Sequence, residues 1–245
     1  MLLHVNSRDM KYELHPAGSR GTADYGWLKA TYSFSFANYY NPSRIHFGAL
    51  RVLNDDYIEG GMGFGKHPHD NMEIVTIPLS GAVAHEDSTG MKGIVKAGDV
   101  QIMSAGSGIF HSEKNASHTE ALQLFQIWVM PKLKNIQPRY DQRTYDEKEY
   151  KNNWKTIVSP LGTAIDSLQV NQDTYFNMGY FDAGLELDYA FHHERQGAFI
   201  MVIEGEIEVA GQTLGKRDAI GVYDTNEVRV KAKADSKVLL IEVPK

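Results

Sequence analysis

Two short runs in this chain carry residues that could share one piece of chemistry. His67-Pro68-His69 sets two imidazoles two residues apart, and His111-Ser112-Glu113 sets an imidazole and a carboxylate at the same spacing. On a strand, residues two apart face the same side, so each run aims both of its donors into one space. If the two strands face each other inside a barrel, three neutral imidazoles and one carboxylate converge. Such a set holds a divalent first-row metal ion at roughly 2.0–2.2 Å per ligand. An octahedral ion held that way keeps positions open for water, dioxygen or a substrate oxygen. A chain with 10 histidines produces such pairs by chance. What sets these two apart is a glycine-rich approach to each, Gly60-Gly61-Met62-Gly63-Phe64-Gly65-Lys66 and Gly106-Ser107-Gly108, with a hairpin between them.

The elements that must position these donors read as strands. Tyr32-Ser33-Phe34-Ser35-Phe36, Leu185-Glu186-Leu187-Asp188-Tyr189 and Glu227 to Lys233 alternate apolar and polar residues, the period of a strand buried on one face. Turn clusters interrupt them at short intervals: Asp87-Ser88-Thr89-Gly90, Ala97-Gly98-Asp99, Ala210-Gly211-Gln212 and Ala234-Asp235-Ser236. Many short strands between such turns predict an all-β barrel or sandwich. The charged stretch from Lys132 to Trp154 interrupts the pattern and reads as a surface connector with a short helix. The halves on either side resemble each other: aligning Gly81 with Gly205, an offset of 124, places His69 on His193. The division expected is an N-terminal metal-binding barrel over 1–131, a polar connector over 132–158 and a C-terminal barrel over 159–245. By that offset Phe191 stands on His67 and Gly197 on Glu73, and Val228-Arg229-Val230-Lys231-Ala232 has no donor. A single donor of four holds no metal, so the second barrel is expected to lack a site.

Composition narrows the function. The 245 residues, 42% apolar and 23% charged, suit a soluble globular protein with a core. The absence of cysteine removes disulfides, thiolate zinc sites, iron–sulfur clusters and cysteine nucleophiles together. A net charge of −6 without a basic cluster argues against direct nucleic-acid binding. No run reaches transmembrane length, since Gln123 and Gln126 interrupt Ala121 to Met130, and the start has no basic segment followed by an apolar one. A cytoplasmic protein that leaves membranes alone is the expectation.

Other candidates are weaker. Gly60 to His67 looks like a phosphate loop, but His67 stands where a Ser/Thr is needed and Pro68 opens a strand, not a helix. Ser107 lacks the spacing of a nucleophile elbow. His4, His15, His46 and His118 read as surface histidines, and His85 as a packed one. Tyr32, Phe34, Phe36, Tyr39 and Tyr40 read as core. Phe64 and Gln126 are pocket candidates, Phe64 because it precedes His67 by three residues and Gln126 because it follows on a strand.

The glycine and histidine spacing carries a family resemblance. Gly61, His67-x-His69, Glu73 and Gly81 resemble the first cupin motif; Gly98, Ser104-x-Gly106, His111 and Asn115 resemble the second. Within cupins, His67-Pro68-His69-Asp70-Asn71-Met72-Glu73-Ile74, Asp87-Ser88-Thr89-Gly90 and Ser104-Ala105-Gly106-Ser107-Gly108-Ile109-Phe110-His111-Ser112-Glu113 resemble the pirin family, its bacterial branch above all. Leu28 to Tyr40 and Gln126-Ile127-Trp128-Val129-Met130-Pro131 are similar to that branch as well. The resemblance implies two jelly-roll cupin barrels in tandem (a bicupin), the first holding one metal ion, Fe(II) first, on His67, His69, His111 and Glu113. Manganese, nickel, copper and zinc suit the same donors. Ser104 replaces the proline of general cupins, and general cupins place their carboxylate ligand at Glu73. Strand parity allows either carboxylate, but Glu73 lies on the order of 13 Å along a strand from His69 and Glu113 on the order of 7 Å from His111. Glu113 is therefore the expected ligand and Glu73 a neighbour of the pocket.

The resemblance also implies activity. Several bacterial pirins cleave the flavonol quercetin with O2, and here Glu113 or a metal-bound hydroxide would assist removal of the hydroxyl proton. Eukaryotic pirins instead serve as metal-dependent transcriptional co-regulators, a non-catalytic alternative that would work through a protein partner and uses the same four donors. Sugar chemistry fits less well, since Lys66 alone among basic residues lies close by in sequence. The oligomeric state stays open.

Overall fold

The structure is a computed structural model and describes residues 10–245. Met1–Asp9, on which the expectation about a leader rests, and His4 with it, lie outside the described residues. Four sheets account for the strands. The large sheet of the first half runs β12 (Arg139–Thr144), β9 (Asp99–Ser104), β6 (Glu73–Ser80), β11 (Leu122–Val129), β4 (Leu50–Ile58), β3 (Leu28–Tyr32) and β2 (Gly21–Asp24). Its small sheet runs β5 (Gly63–His69), β10 (Ile109–Asn115), β7 (Ala82–Asp87) and β8 (Lys92–Lys96). The second half repeats the scheme with β1 (Lys11–His15), β20 (Ala219–Tyr223), β17 (Gln196–Glu204), β22 (Ser236–Pro244), β15 (Tyr175–Phe181), β13 (Trp154–Pro160) and β14 (Leu168–Val170). Facing it are β16 (Glu186–Ala190), β21 (Glu227–Ala232), β18 (Glu206–Val209) and β19 (Gln212–Gly215). Among the described residues the helical elements are two 3-10 turns, Ala17–Ser19 and Glu147–Tyr150, and no helix is long and apolar enough to cross a membrane. This is the tandem all-β arrangement expected.

Period two dictates the layers. Along β10, Ile109, His111, Glu113 and Asn115 are buried while Phe110 and Lys114 face out, and β21 alternates in the same way. The turn from β6 to β7 passes through Gly81 at φ +76°, and that from β17 to β18 through Gly205 at φ +89°. These are the two glycines the duplication aligns, each in a conformation that side chains disfavour.

The two large sheets lie back to back. One apolar cluster runs across the junction, with Leu53, Val75, Ile77, Phe125 and Ile127 from the first half against Phe176, Phe199, Met201, Leu239 and Ile241 from the second. Asp55 on β4 adds a buried ionic contact, accepting from Arg217 Nε at 2.8 Å with Arg20 Nη1 at 3.6 Å.

Three expectations meet a different structure. The alternating run Tyr32–Phe36 ends as a strand at Tyr32; Tyr32, Ser33, Phe34 and Ser35 are all buried, because the chain dives between layers and Phe34 joins the inter-barrel cluster. Residues 132–158 hold more than a connector. β12 extends the first large sheet, the helix is the 3-10 turn capped by Asp146, and β13, which opens the second large sheet, crosses 158/159. β1 lies in the first 131 residues yet pairs with β20 of the second half.

His15, expected on the surface, is 4% exposed on β1, edge-on to Phe34 and Phe199. Burial, then the charges of Arg44 and Lys245, lowers its pKa to about 4. The unfolded chain therefore takes up this proton as pH falls through about 6.5 while the folded protein does not. Stability contributed by the neutral ring should decline from about pH 6.5 to about pH 4, by on the order of 3 kcal/mol in total. Urea midpoints across that range should fall less steeply in His15→Phe; an unchanged slope would assign the acid loss to other groups.

Candidate metal centre

β5 and β10 pair with His111 opposite His67 and Ile109 opposite His69, and a bulge follows, so that Glu113 stands opposite Phe64. Gly63 is required by that approach, because a Cβ there would meet Glu113 O and Lys114 Cα at 2.4 Å. The three imidazoles converge as expected. Ring centroids lie 4.9 Å apart for His67 and His69, 4.4 Å for His67 and His111, and 4.8 Å for His69 and His111. Ligand atoms of these three lie within 4.8 Å of one another, and so do those of a second, fully buried group, His85, His111 and Glu113. His111 belongs to both.

The donors are prepared for a cation. His67 Nδ1 contacts Gly65 O at 2.8 Å, which makes that nitrogen the donor and leaves Nε2 with its lone pair. Burial, then His67, lowers His69 to about 4. Burial, then His67, His69 and His85, lowers His111 to about 3. Both rings are neutral at physiological pH. Neither ring nitrogen of His111 has a hydrogen-bond partner, although both are buried. Buried polar atoms are ordinarily satisfied, so this orphaned imidazole among other nitrogens and a carboxylate fits a divalent metal ion.

Glu113 is buried, and burial pushes its carboxyl above the usual range against the opposing pull of His85 and Gln126. Gln126 Nε2 donates to Oε2 at 2.8 Å, and Thr76 Oγ1 lies 3.4 Å from Oε1. Gln126, a pocket candidate, thus holds the carboxylate. Gln126→Leu removes a neutral donor of the kind that orients metal ligands, and a ten- to hundredfold loss of metal affinity is expected. Competition with a chromophoric chelator measures it, and an unchanged affinity would show that Glu113 keeps its pose without the amide.

Phe64 lies 6.4 Å from the His67 ring, centroid to centroid. Three residues apart on a regular strand they would face opposite ways; the bulge brings both inside. Phe64 also lines a cavity of about 310 Å3 with Tyr25, Trp27, Tyr32, Phe36 and Asp56. Tyr32 and Phe36, expected as plain core, are therefore walls of this cavity, whereas Phe34 is core and Tyr40 is exposed. Phe36 packs on Trp128 at 5.4 Å and Trp128 on His69 at 4.9 Å, so cavity and histidines share a wall.

Glu73 does not neighbour that pocket. Asn71, at φ +44°, turns the chain between β5 and β6, which breaks the parity that 69, 71 and 73 would share on one strand. Glu73 therefore shares its face with Val75 and Ile77 of the inter-barrel cluster, where its Oε2 accepts from Ser104 Oγ at 2.6 Å and from Asn171 N at 3.0 Å. His85, expected as packing, is 2% exposed and stands opposite Glu113, its Nε2 3.2 Å from Asp87 Oδ2. The period-two set Val83, His85, Asp87 was the signal for it.

In the second half, Tyr189 OH and His192 Nδ1 meet Glu242 Oε2 at 2.6 and 2.8 Å, the carboxylate and Tyr189 being buried and His192 exposed.

Residues 14–129 match the family described as Pirin, and residues 156–243 match the family described as quercetinase C-terminal cupin domain. The chain is 44% identical to a quercetin 2,3-dioxygenase of Escherichia coli (strain K12) over 94% of its own length and 98% of that protein's. It is 38% identical to a pirin-like protein of Caulobacter vibrioides, over 93% and 97% of the two chains. The crystal structure of bacterial pirin YhhW in complex with nickel(II) from Escherichia coli superimposes with a TM-score of 0.90 at 40% identity, covering 96% of this chain and 99% of that one. With similarity extending through both barrels, the chain belongs to the pirin family.

Proposed function

We propose that this protein is a dioxygenase that cleaves a flavonol such as quercetin with O2 at one divalent metal ion held by His67, His69, His111 and Glu113. The observation that carries the reading is the buried, partnerless His111 imidazole at the meeting point of the other donors, beside an aromatic-walled cavity. A bound ion, proposed as Fe(II), would supply Lewis acidity to a hydroxyl–carbonyl pair of the flavonol. The chain's own residues supply the rest. Phe64, Trp27 and Phe36 offer apolar faces that seat flat rings and exclude water. Glu113 is placed to take up the flavonol hydroxyl proton while Gln126 Nε2 holds its Oε2. Similarity to proteins named quercetin 2,3-dioxygenase supports the substrate class.

Oxygen uptake with quercetin, using protein loaded in turn with iron, manganese, nickel and copper, tests this. Turnover with at least one metal is expected. Flavonol binding without turnover under any metal would replace catalysis with a metal-dependent binding role.

A further inference from the structure

The cavity beside the histidines has an aromatic and aliphatic wall that carries the hydroxyls of Tyr25 and Tyr32 and a single carboxyl, that of Asp56. Asp56 is 5% exposed, and its Oδ1 is buried without a hydrogen-bond partner. The charged groups that act on it, Asp55 and Glu113, are both acidic, so no cation offsets its burial. Two residues earlier on the same face of β4, Asn54 pairs with Gln126, the residue that holds Glu113. Asp56 therefore stands about 7 Å along the strand from Asn54, on the scale of one aromatic ring. Asn54 Oδ1 is likewise buried and partnerless. A partnerless carboxyl in an apolar wall costs free energy; a ligand hydroxyl would relieve it.

We propose that Asp56 is a specificity-determining residue, hydrogen-bonding a phenolic hydroxyl on the part of a planar aromatic ligand remote from its chelating group. The site would thereby select polyhydroxylated ring systems over bare ones. This deepens the flavonol reading and rests on it for the seat of the chelating ring. Burial, then Asp55 and Glu113, pushes the Asp56 carboxyl up to about 8, and in either protonation state it can accept from a phenolic hydroxyl. A site built to bond a hydroxyl rejects the analogue lacking it far more strongly than an apolar pocket discriminates by size.

Two probes separate the contributions: 3-hydroxyflavone, which keeps the chelating pair alone, and quercetin, which adds hydroxyls on its outer rings. Trp27 lines the cavity, so quenching of tryptophan fluorescence on metal-loaded protein reports binding. The intact protein should bind quercetin at least about tenfold more tightly than 3-hydroxyflavone, the ratio that 1.4 kcal/mol produces. Asp56→Leu should bring the two within about threefold and leave 3-hydroxyflavone affinity unchanged, whereas Asp56→Asn should keep most of the preference, because the amide still offers the hydroxyl a hydrogen-bond partner. Quercetin methylated one hydroxyl at a time gives the same answer without a variant: one ether should lose the preference. A preference that survives in Asp56→Leu, or that is insensitive to every methylation, overturns the assignment. Equal binding of both probes with both cleaved leaves the flavonol reading standing and Asp56 without this role. If neither probe binds or reacts, the flavonol reading itself fails and this inference falls with it.

Discussion

His111→Ala is expected to leave a folded protein that no longer holds metal. The ring sits 1% exposed on β10, between β5 and β7, and it belongs to both groups of donors that can close on an ion. Removing it leaves three donors of the proposed set, His67, His69 and Glu113, and takes the shared member from both groups of three. Metal affinity follows ligand count and the prior neutrality of the ligands, so a loss of at least about a hundredfold is expected, more than for a residue that only orients a ligand. Elemental analysis after dialysis should find well under a tenth of an equivalent, on the same grounds, with the far-UV circular dichroism of the parent. His85→Ala is the informative companion. If the ion sits on His67, His69, His111 and Glu113, that variant keeps near-stoichiometric metal. Loss of metal in His85→Ala together with retention in His67→Ala would move the ion to the deeper group.

Asp55→Ala should be the most damaging single change to stability outside that centre. Asp55 Oδ2 accepts from Arg217 Nε at 2.8 Å and pairs with Arg20 Nη1 at 3.6 Å, all three side chains being no more than 9% exposed. Arg217 also donates to Ile203 O and lies over the Phe125 ring at 5.2 Å. Deleting the one carboxylate strands two guanidiniums between the large sheets, and breaking a buried pair from one side costs about 3–5 kcal/mol. Denaturant midpoints at pH 7 should show that loss. Adding Arg217→Met should restore part of it, because one uncompensated charge is then gone. If Asp55→Ala costs less than about 1 kcal/mol, the typical worth of an exposed pair, water reaches this contact and it does not tie the barrels together.

Each pair of candidate donors was legible because its information is local. His67 with His69, and His111 with Glu113, needed nothing beyond the strand period, which holds between the two members of each run. Errors arose where a single residue changed the period. Asn71 in a left-handed turn carries Glu73 to the other face of the large sheet, and the bulge opposite His111 carries Phe64 inward despite its odd spacing. Neither event has a composition signature strong enough to read alone. Tyr32 to Ser35 alternate in polarity yet are buried throughout, because the layer above them belongs to the second barrel. His85 was legible through Val83 and Asp87, but a lone imidazole in a strand is more often packed than functional. Asp56 had no local signal at all: its meaning comes from an aromatic cavity assembled from Tyr25, Trp27, Tyr32, Phe36 and Phe64. The pairing of β1 with β20 joins segments about 200 residues apart, a separation no periodicity reports.

That pairing has a consequence for biosynthesis. Lys11–His15 leaves the ribosome early, but its hydrogen-bonding partner, Ala219–Tyr223, is among the last segments made. At roughly 5–20 residues per second, the interval is about 10–40 s. Throughout it the nascent chain carries an unsatisfied strand edge, and the first large sheet shows an uncovered apolar back to water or to a chaperone. The half that carries the histidine cluster thus reaches its finished state only after translation of the other half.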